Sequence, residues 1–349
     1  MAPYVCILYG SIIVTLVSIF WSKGSKYLGI GMLFWLVLFI AFRGEFIGTD
    51  TPEYYSYFKN PQLGYYGMDT HDVGYNFWQK AFKTIIDNAY VYIPVTSMIG
   101  LFPICLLVAK QSKNIAMSVF LFLTLGGSTL FLFLYLAAVR QTFAIGLLWI
   151  AIFLYYKKEN KKSTVMYVLA VLSHASMLLY LPAIFIDKLR LKKIWVYVIL
   201  GMSVCFGLIL NRYASYFYLI TAFLNYGTYY VDILTQSTAT IQGNMLFLTL
   251  MAVLVSYFNT LDSYWDRLFV VGVVYNNLFA FMGDSTRISM PLALFGVISI
   301  TNTMMSQRVY LRYMILSVVI GYGCSKYFKV LYNNGKESNM VPYKSLIVK

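Results

Sequence analysis

Long apolar runs alternate with short polar ones along most of the chain. The runs fall at 4–21, 27–42, 90–109, 115–135, 137–156, 164–186, 194–210, 244–260, 268–283, 288–304 and 311–325. A helix that crosses hydrocarbon needs about 20 predominantly apolar residues. Read in windows of that length, the pattern predicts an all-α fold of about 10–12 membrane segments. Residues 1–349 then form a single polytopic transmembrane helical bundle. Two segments break the apolar rhythm. Residues 43–89 hold six acids and four bases, and 211–243 is tyrosine-rich and nearly uncharged. In the latter, Tyr216, Ile220 and Phe223 recur at helical spacing. Both segments predict short helices lying at the membrane interface, where tyrosine rings sit well at headgroup depth.

Composition agrees with the pattern. Hydrophobic residues make up 60% of the chain and charged residues 11%, against about 25% charged in a soluble domain. The formal charge is +14. The lysines cluster in short runs beside apolar segments, as in "KKENKK" (157–162) and "DKLRLKK" (187–193). That arrangement is the positive-inside signal with contact to anionic membrane lipids, and it argues against nucleic acid as a partner. Lys23, Lys26, Lys110, Lys113 and the lysines after the fifth segment define one side, expected to be cytoplasmic. The 43–89 loop is then extracytoplasmic.

The sixth segment is ambiguous, because both flanks are strongly basic. A plain crossing places the second basic run outside. A re-entrant hairpin kinked near His174 keeps both inside and places 211–243 beside 43–89. Counting basic residues over the whole chain does not separate the two, and the weight here falls on the hairpin. The four cysteines lie far apart in apolar stretches with no metal-ligand spacing, so no metal is expected. The N-terminal run lacks a preceding basic region and a small-residue cleavage site, and reads as a retained first helix.

Ionisable groups inside apolar runs are expensive and mark function. Arg140 and Gln141 lie in "LFLYLAAVRQTFAIGLLWIAIF". Arg140 is either a helix-end residue reaching headgroups or a guanidinium that grips an anion, since its planar fork matches phosphate. His174 lies in a small polar Ser-His-Ala-Ser group. It is either an interhelical hydrogen-bonding residue or a base able to take a hydroxyl proton near neutral pH. Arg287, with Asp284 three residues earlier, is a local ion pair or a second anion clamp. Arg212 is an interfacial anchor or a weaker clamp. "FRGEFIGTDTPEYYSYF" (42–58) carries Arg43, Glu45, Asp50 and Glu53. Its "IGTDTPEYY" predicts a turn at Gly48, then a helix capped by Asp50 or Thr51 with Pro52 in its first turn. A helix start there is also a ready anion site. Tyr54 and its neighbours offer flat faces for sugar rings.

The ordered succession of "RGEFIGTD" with a following tyrosine, "RQTFA", "HAS", a late arginine and the terminal "PYKS" resembles the EpsG-type polysaccharide polymerases. These are similar to the wider Wzy group of O-antigen and capsule polymerases. The matching positions are Arg43, Gly48, Thr49, Asp50, Tyr54 or Tyr57, Arg140, Gln141, Ala144, His174, Ser176, Pro342 and Tyr343. Two positions depart: Thr51-Pro52 follows "GTD" where an aromatic is expected, and "ISMP" follows Arg287 where a tyrosine is expected. The resemblance implies a GT-C-like helical bundle without a nucleotide-binding domain or cofactor. The implied reaction joins repeat units carried on undecaprenyl pyrophosphate at the outer face of the bacterial plasma (inner) membrane, which the chain crosses several times. Its partners are a lipid-linked oligosaccharide donor and acceptor, with a flippase and a chain-length regulator of the same pathway. In this reading Arg43, Arg140 and Arg287 contact the pyrophosphate, with Glu45, Gln141, Arg212 and Tyr54 also toward substrate. Either His174 or Asp50 is the base. The same arginines suit a flippase for lipid-linked oligosaccharide, and a membrane histidine suits a glycan O-acyltransferase.

Overall fold

The computed structural model describes residues 1–60, 72–126, 129–188, 192–213, 243–259, 261, 263–280, 285–333 and 339–347. The chain is helical. Among the described residues, six helices are long and apolar enough to cross a membrane: Ala2–Phe20 (α1), Gly24–Ala41 within α2 (Ser22–Ala41), Ala89–Gln111 (α5), Val139–Tyr156 (α8), Lys193–Leu210 within α11 (Lys193–Arg212) and Val309–Asn333 (α16). A seventh span is the pair α14 (Ser285–Ala293) and α15 (Gly296–Met305), bent by 49°. The protein is therefore a multi-pass helical membrane protein. The shorter apolar helices α6 (Ile115–Thr124) and α12 (Gly243–Phe258) pack among these spans, with α13 (Tyr264–Leu278).

The expected single span at 115–135 is two pieces. Helix α6 stops at Thr124, the chain turns at Gly126 (φ +151°), and α7 (Phe131–Ala137) follows before a further break at Ala138. Among the described residues of that turn, Gly126 holds a φ that side-chain-bearing L residues rarely adopt. The break at Ala138 makes Arg140 a residue of the first turn of α8, so it stands at a helix start and not at mid-span.

Helix α8 sits against α5 at very close range. A Cβ added to Gly100 would meet the Thr142 carbonyl, and one added to Gly146 would meet Gly100. Small residues that let backbones approach are the usual means of association in lipid, where apolar burial alone gives little drive.

After α8 the chain reverses at Lys157–Lys158 and returns as α9 (Asn160–Ser173). At His174 the backbone turns extended (φ −161°, ψ 112°), ending the helix. Residues 175–188 then run back as 3-10 turns and the short α10 (Leu181–Ile184). The Tyr155 hydroxyl reaches Asp187 Oδ1 at 3.3 Å. The two basic runs on either side of 160–188 thus lie at one end of the bundle, and the segment is a hairpin with His174 at its tip. Short irregular turns leave carbonyls without helical donors. Side chains supply them: Tyr167 donates to Met177 and Leu178, Tyr275 to Leu179 and Tyr264 to Ile184, while Tyr180 of this stretch donates to Ile288 in α14.

At the other end, α3 (Thr51–Lys59) and α4 (Val73–Ile85) of the 43–89 segment cover the bundle. An aromatic cluster of Tyr54, Tyr55, Phe58, Tyr75, Phe82 and Tyr92 glues them to α5 and α8. Most of 211–243 lies outside the described residues, as does Asp284. The C-terminal segment returns to this end. Gly44 N donates to Lys344 O (2.7 Å), Leu346 N donates to Phe42 O (2.9 Å), and Tyr343 stacks on Phe39 (ring centroids 4.5 Å).

Candidate active site

The tip of the hairpin, the start of α8 and the residue before α4 meet at one carboxylate. Asp72 Oδ2 lies 2.6 Å from Arg140 Nη1. Its Oδ1 lies 3.7 Å from His174 Nδ1 and accepts a 3.3 Å hydrogen bond from the Ala175 amide. The Asp72 side chain is 6% exposed, against 21% for Arg140 and 23% for His174. Burial pushes the Asp72 carboxyl toward its neutral form, but the nearby His174, the Arg140 charge and the Ala175 amide outweigh it. The carboxyl is held below the usual carboxylate range. Opposite charge and donated hydrogen bonds both favour the ionised form. Asp72 stands at the N-cap of α4 without capping it through its side chain. That carboxylate is turned instead toward Arg140 and His174.

A second, looser pair lies beside the first. Asp50 Oδ2 is 3.7 Å from Arg287 Nη2, and both side chains are partly exposed (27% and 39%). Asp50 precedes α3, as expected, but makes no side-chain cap hydrogen bond. Its Oδ1 accepts from the Thr49 hydroxyl at 2.6 Å. Tyr54 senses both pairs. Burial pushes its hydroxyl up to about 12, with Arg140, Asp50 and Arg287 as charged neighbours, so it is a proton donor at neutral pH and not a base.

Gln141 braces the second pair. Pro291 lies four residues after Arg287 and has no N–H, so the helix cannot satisfy the Arg287 carbonyl. Gln141 Nε2 donates to that carbonyl at 2.7 Å. Trp149 Nε1 donates to Pro291 O at 2.9 Å, fastening the same stretch lower down. Gln141 therefore positions Arg287 and is not directed at a ligand.

The expected role of Arg43 needs correction. Its side chain is fully buried. Nη1 donates to Ile40 O (2.8 Å) and Ser97 Oγ (3.1 Å), and Nε donates to Thr51 Oγ1 (3.4 Å). Thr51 in turn donates to Leu136 O at 2.9 Å. Arg43 thus joins the ends of α2, α3, α5 and α7 under the C-terminal segment, where a pyrophosphate cannot reach it. Gly48 completes this joint at φ +95°, with the Leu136 carbonyl where a Cβ would stand.

Glu45 is engaged elsewhere, accepting from the Tyr90 hydroxyl (2.8 Å) and pairing with Lys59 (3.6 Å). Arg212 ends α11, and its side chain is outside the description. Asp72 was missed because it sits in a loop where acids are ordinary. The available signal was Arg140 itself, which needs an acid from another segment when Lys113 to Lys157 contains no other charge.

The arrangement offers one imidazole whose Nδ1 faces a carboxylate at 3.7 Å, beyond hydrogen-bond reach, and two arginines at the bundle end beneath the 43–89 helices. Among the described residues there is no cluster able to hold a metal ion. The family model described as the EpsG family matches residues 26–345. No curated protein and no solved structure matches the chain.

Proposed function

This chain belongs to the EpsG family, whose role is broadly that of a polysaccharide polymerase, and on that premise we propose the reaction and the residues that carry it. The protein joins oligosaccharide repeat units carried on undecaprenyl pyrophosphate, at the outer face of a bacterial plasma membrane. The growing chain leaves its carrier when the bond from its reducing-end anomeric carbon to the pyrophosphate oxygen breaks. A sugar hydroxyl of the next lipid-linked unit forms the new glycosidic bond. The proton of that hydroxyl goes to His174 Nε2, and undecaprenyl pyrophosphate departs with the electron pair.

The observation that carries this reading is the meeting of Asp72, Arg140 and His174 at one point. A carboxylate 3.7 Å from Nδ1 stabilises, through its charge, the imidazolium formed on proton transfer. Arg287 is the cation most available to the leaving group, because its pair with Asp50 is long and partly exposed. Arg140, one-fifth exposed, adds positive potential as charge builds on the pyrophosphate. Asp50 is the weaker candidate for the base, since an acceptor at Arg287 would sit against it.

The test uses purified protein in detergent with lipid-linked repeat units as the sole substrate. The wild type forms a ladder of longer lipid-linked products with no second compartment, whereas a flippase forms none. His174→Ala and Arg140→Ala leave single units, with protein level unchanged. A normal ladder from His174→Ala would refute the assignment of the base.

A further inference from the structure

The end of the bundle opposite Asp72 contains a cavity of about 850 Å³. It lies beneath the hairpin, roughly 22 Å from Arg140 along α8 at 1.5 Å per residue. Aromatic side chains line it: Tyr156, Phe185, Tyr264 and Trp265. Tyr156 and Tyr264 stack at 5.9 Å, and Tyr156 and Trp265 lie 5.0 Å apart. Among the described residues that line it, the cations Lys158, Lys188 and Arg267 outnumber the one acid, Asp187. Asp187 Oδ1 already accepts from Tyr155, and Arg267 Nη1 donates to the Asp187 carbonyl at 2.9 Å. Both lysines are exposed, and Lys158 stands at φ +63° on the turn between α8 and α9, outside both helices.

We infer that this cavity binds one anionic phospholipid, its phosphate held by Lys158 and Lys188 and its acyl region laid on the aromatic side chains. Three observations favour a lipid over other ligands. The volume falls in the range of small-molecule pockets. Cationic and aromatic side chains line the same space, the two kinds of partner that a phospholipid's phosphate and chain require. The cavity also opens at the end that carries the basic runs 157–162 and 187–193. The positive-inside rule assigns that end to the anionic leaflet. Because two walls are the limbs of the hairpin, the lipid would brace the element that holds His174. The binding itself is independent of any sugar chemistry.

The experiment uses the full-length protein in mild detergent, titrated with dioleoyl phosphatidylglycerol, dioleoyl phosphatidylcholine or glycerol 1-phosphate, with bound lipid counted by native mass spectrometry. No glycan substrate is present, so its outcome is separate from that of the polymerase assay. One phosphatidylglycerol is expected to remain bound where phosphatidylcholine is lost. The exposed double variant Lys158→Asn/Lys188→Gln should weaken it about 30-fold, the effect of two basic contacts at a membrane surface. Asn is chosen because it tolerates the left-handed backbone at 158. The control Lys26→Gln/Lys161→Gln removes the same charge at the same end without touching the cavity, and should change binding less than about threefold by the same scale. Equal binding of both lipids, or equal losses in both double variants, would overturn the site. Glycerol 1-phosphate binding as tightly as phosphatidylglycerol would overturn the lipid in favour of a soluble phosphate ester.

Discussion

Replacing Asp72 by Asn keeps the shape of the side chain and removes its charge. The carboxylate is nearly inaccessible and lies 2.6 Å from a guanidinium that is itself four-fifths buried. Breaking a buried ion pair by removing one partner costs about 3–5 kcal/mol. The partial exposure of Arg140 puts this site at the lower end, about 3 kcal/mol. The kinetic effect is separate. In the Asp72→Asn protein the imidazole loses the negative charge that stabilises its protonated form, and a general base is worth about 10²–10⁴ in rate. The elongation rate of Asp72→Asn on purified lipid-linked units should therefore fall by about two to four orders of magnitude. His174→Ala should fall as far, and the double variant no further, because residues acting as a unit are not additive. The assay is single-turnover elongation with saturating acceptor, alongside thermal unfolding in the same detergent. Independent, multiplicative losses in the double variant would refute the coupling of Asp72 to His174. An Asp72→Asn protein that elongates normally would refute the site.

Gly48→Ala should lower the amount of folded protein, since it combines a φ of +95° with a clash at the Leu136 carbonyl; about 1–3 kcal/mol of strain is expected, read from the thermal midpoint. Arg43→Ala should destabilise by about 3 kcal/mol, as removal of a buried hydrogen-bonded charge does, and activity per folded molecule should survive better than in Arg287→Ala. A quantitative blot with elongation rates compares them. Arg287→Ala should leave the thermal midpoint nearly unchanged, because an ion pair this exposed is worth about 0–1 kcal/mol, while the product ladder shortens to single units. The Asp72 pair should also set a pH dependence. The folded carboxyl is depressed, so its contribution to stability is complete above the unfolded value of about 3.9. It is lost as pH falls through the lower folded value. The gap in thermal midpoint between wild type and Asp72→Asn should therefore be constant from about pH 5 to 7 and close below about pH 4.

Arg140 and His174 were legible because each breaks an apolar run, and hydrocarbon tolerates such breaks only with a partner. The hairpin was legible from basic residues on both of its flanks. Asp72 was not, because a charge is unremarkable in a polar loop, and only the packing of α4 across the ends of α8 and α9 selects it from six acids. Arg43 misled for the opposite reason. An arginine just past a helix end reads as exposed, and the residues that enclose it, Ser97 and the segment around Ser345, are far away in sequence. The span at 115–135 misled because hydropathy does not register a turn made by Gly126 inside an apolar run.

The joint around Arg43 also has an order in time. Phe39 receives the Tyr343 hydroxyl across 304 residues of chain. At about 5–20 residues per second of synthesis, α2 is in place roughly 15–60 s before the segment that covers Arg43 exists. During that interval the guanidinium has Ile40 and then Ser97 as partners but no roof. The newborn protein is thus a bundle whose Arg43 end stays open until residues 339–347 arrive. A stalled or clipped chain would carry every residue of the candidate active site and still lack the piece that seals its frame.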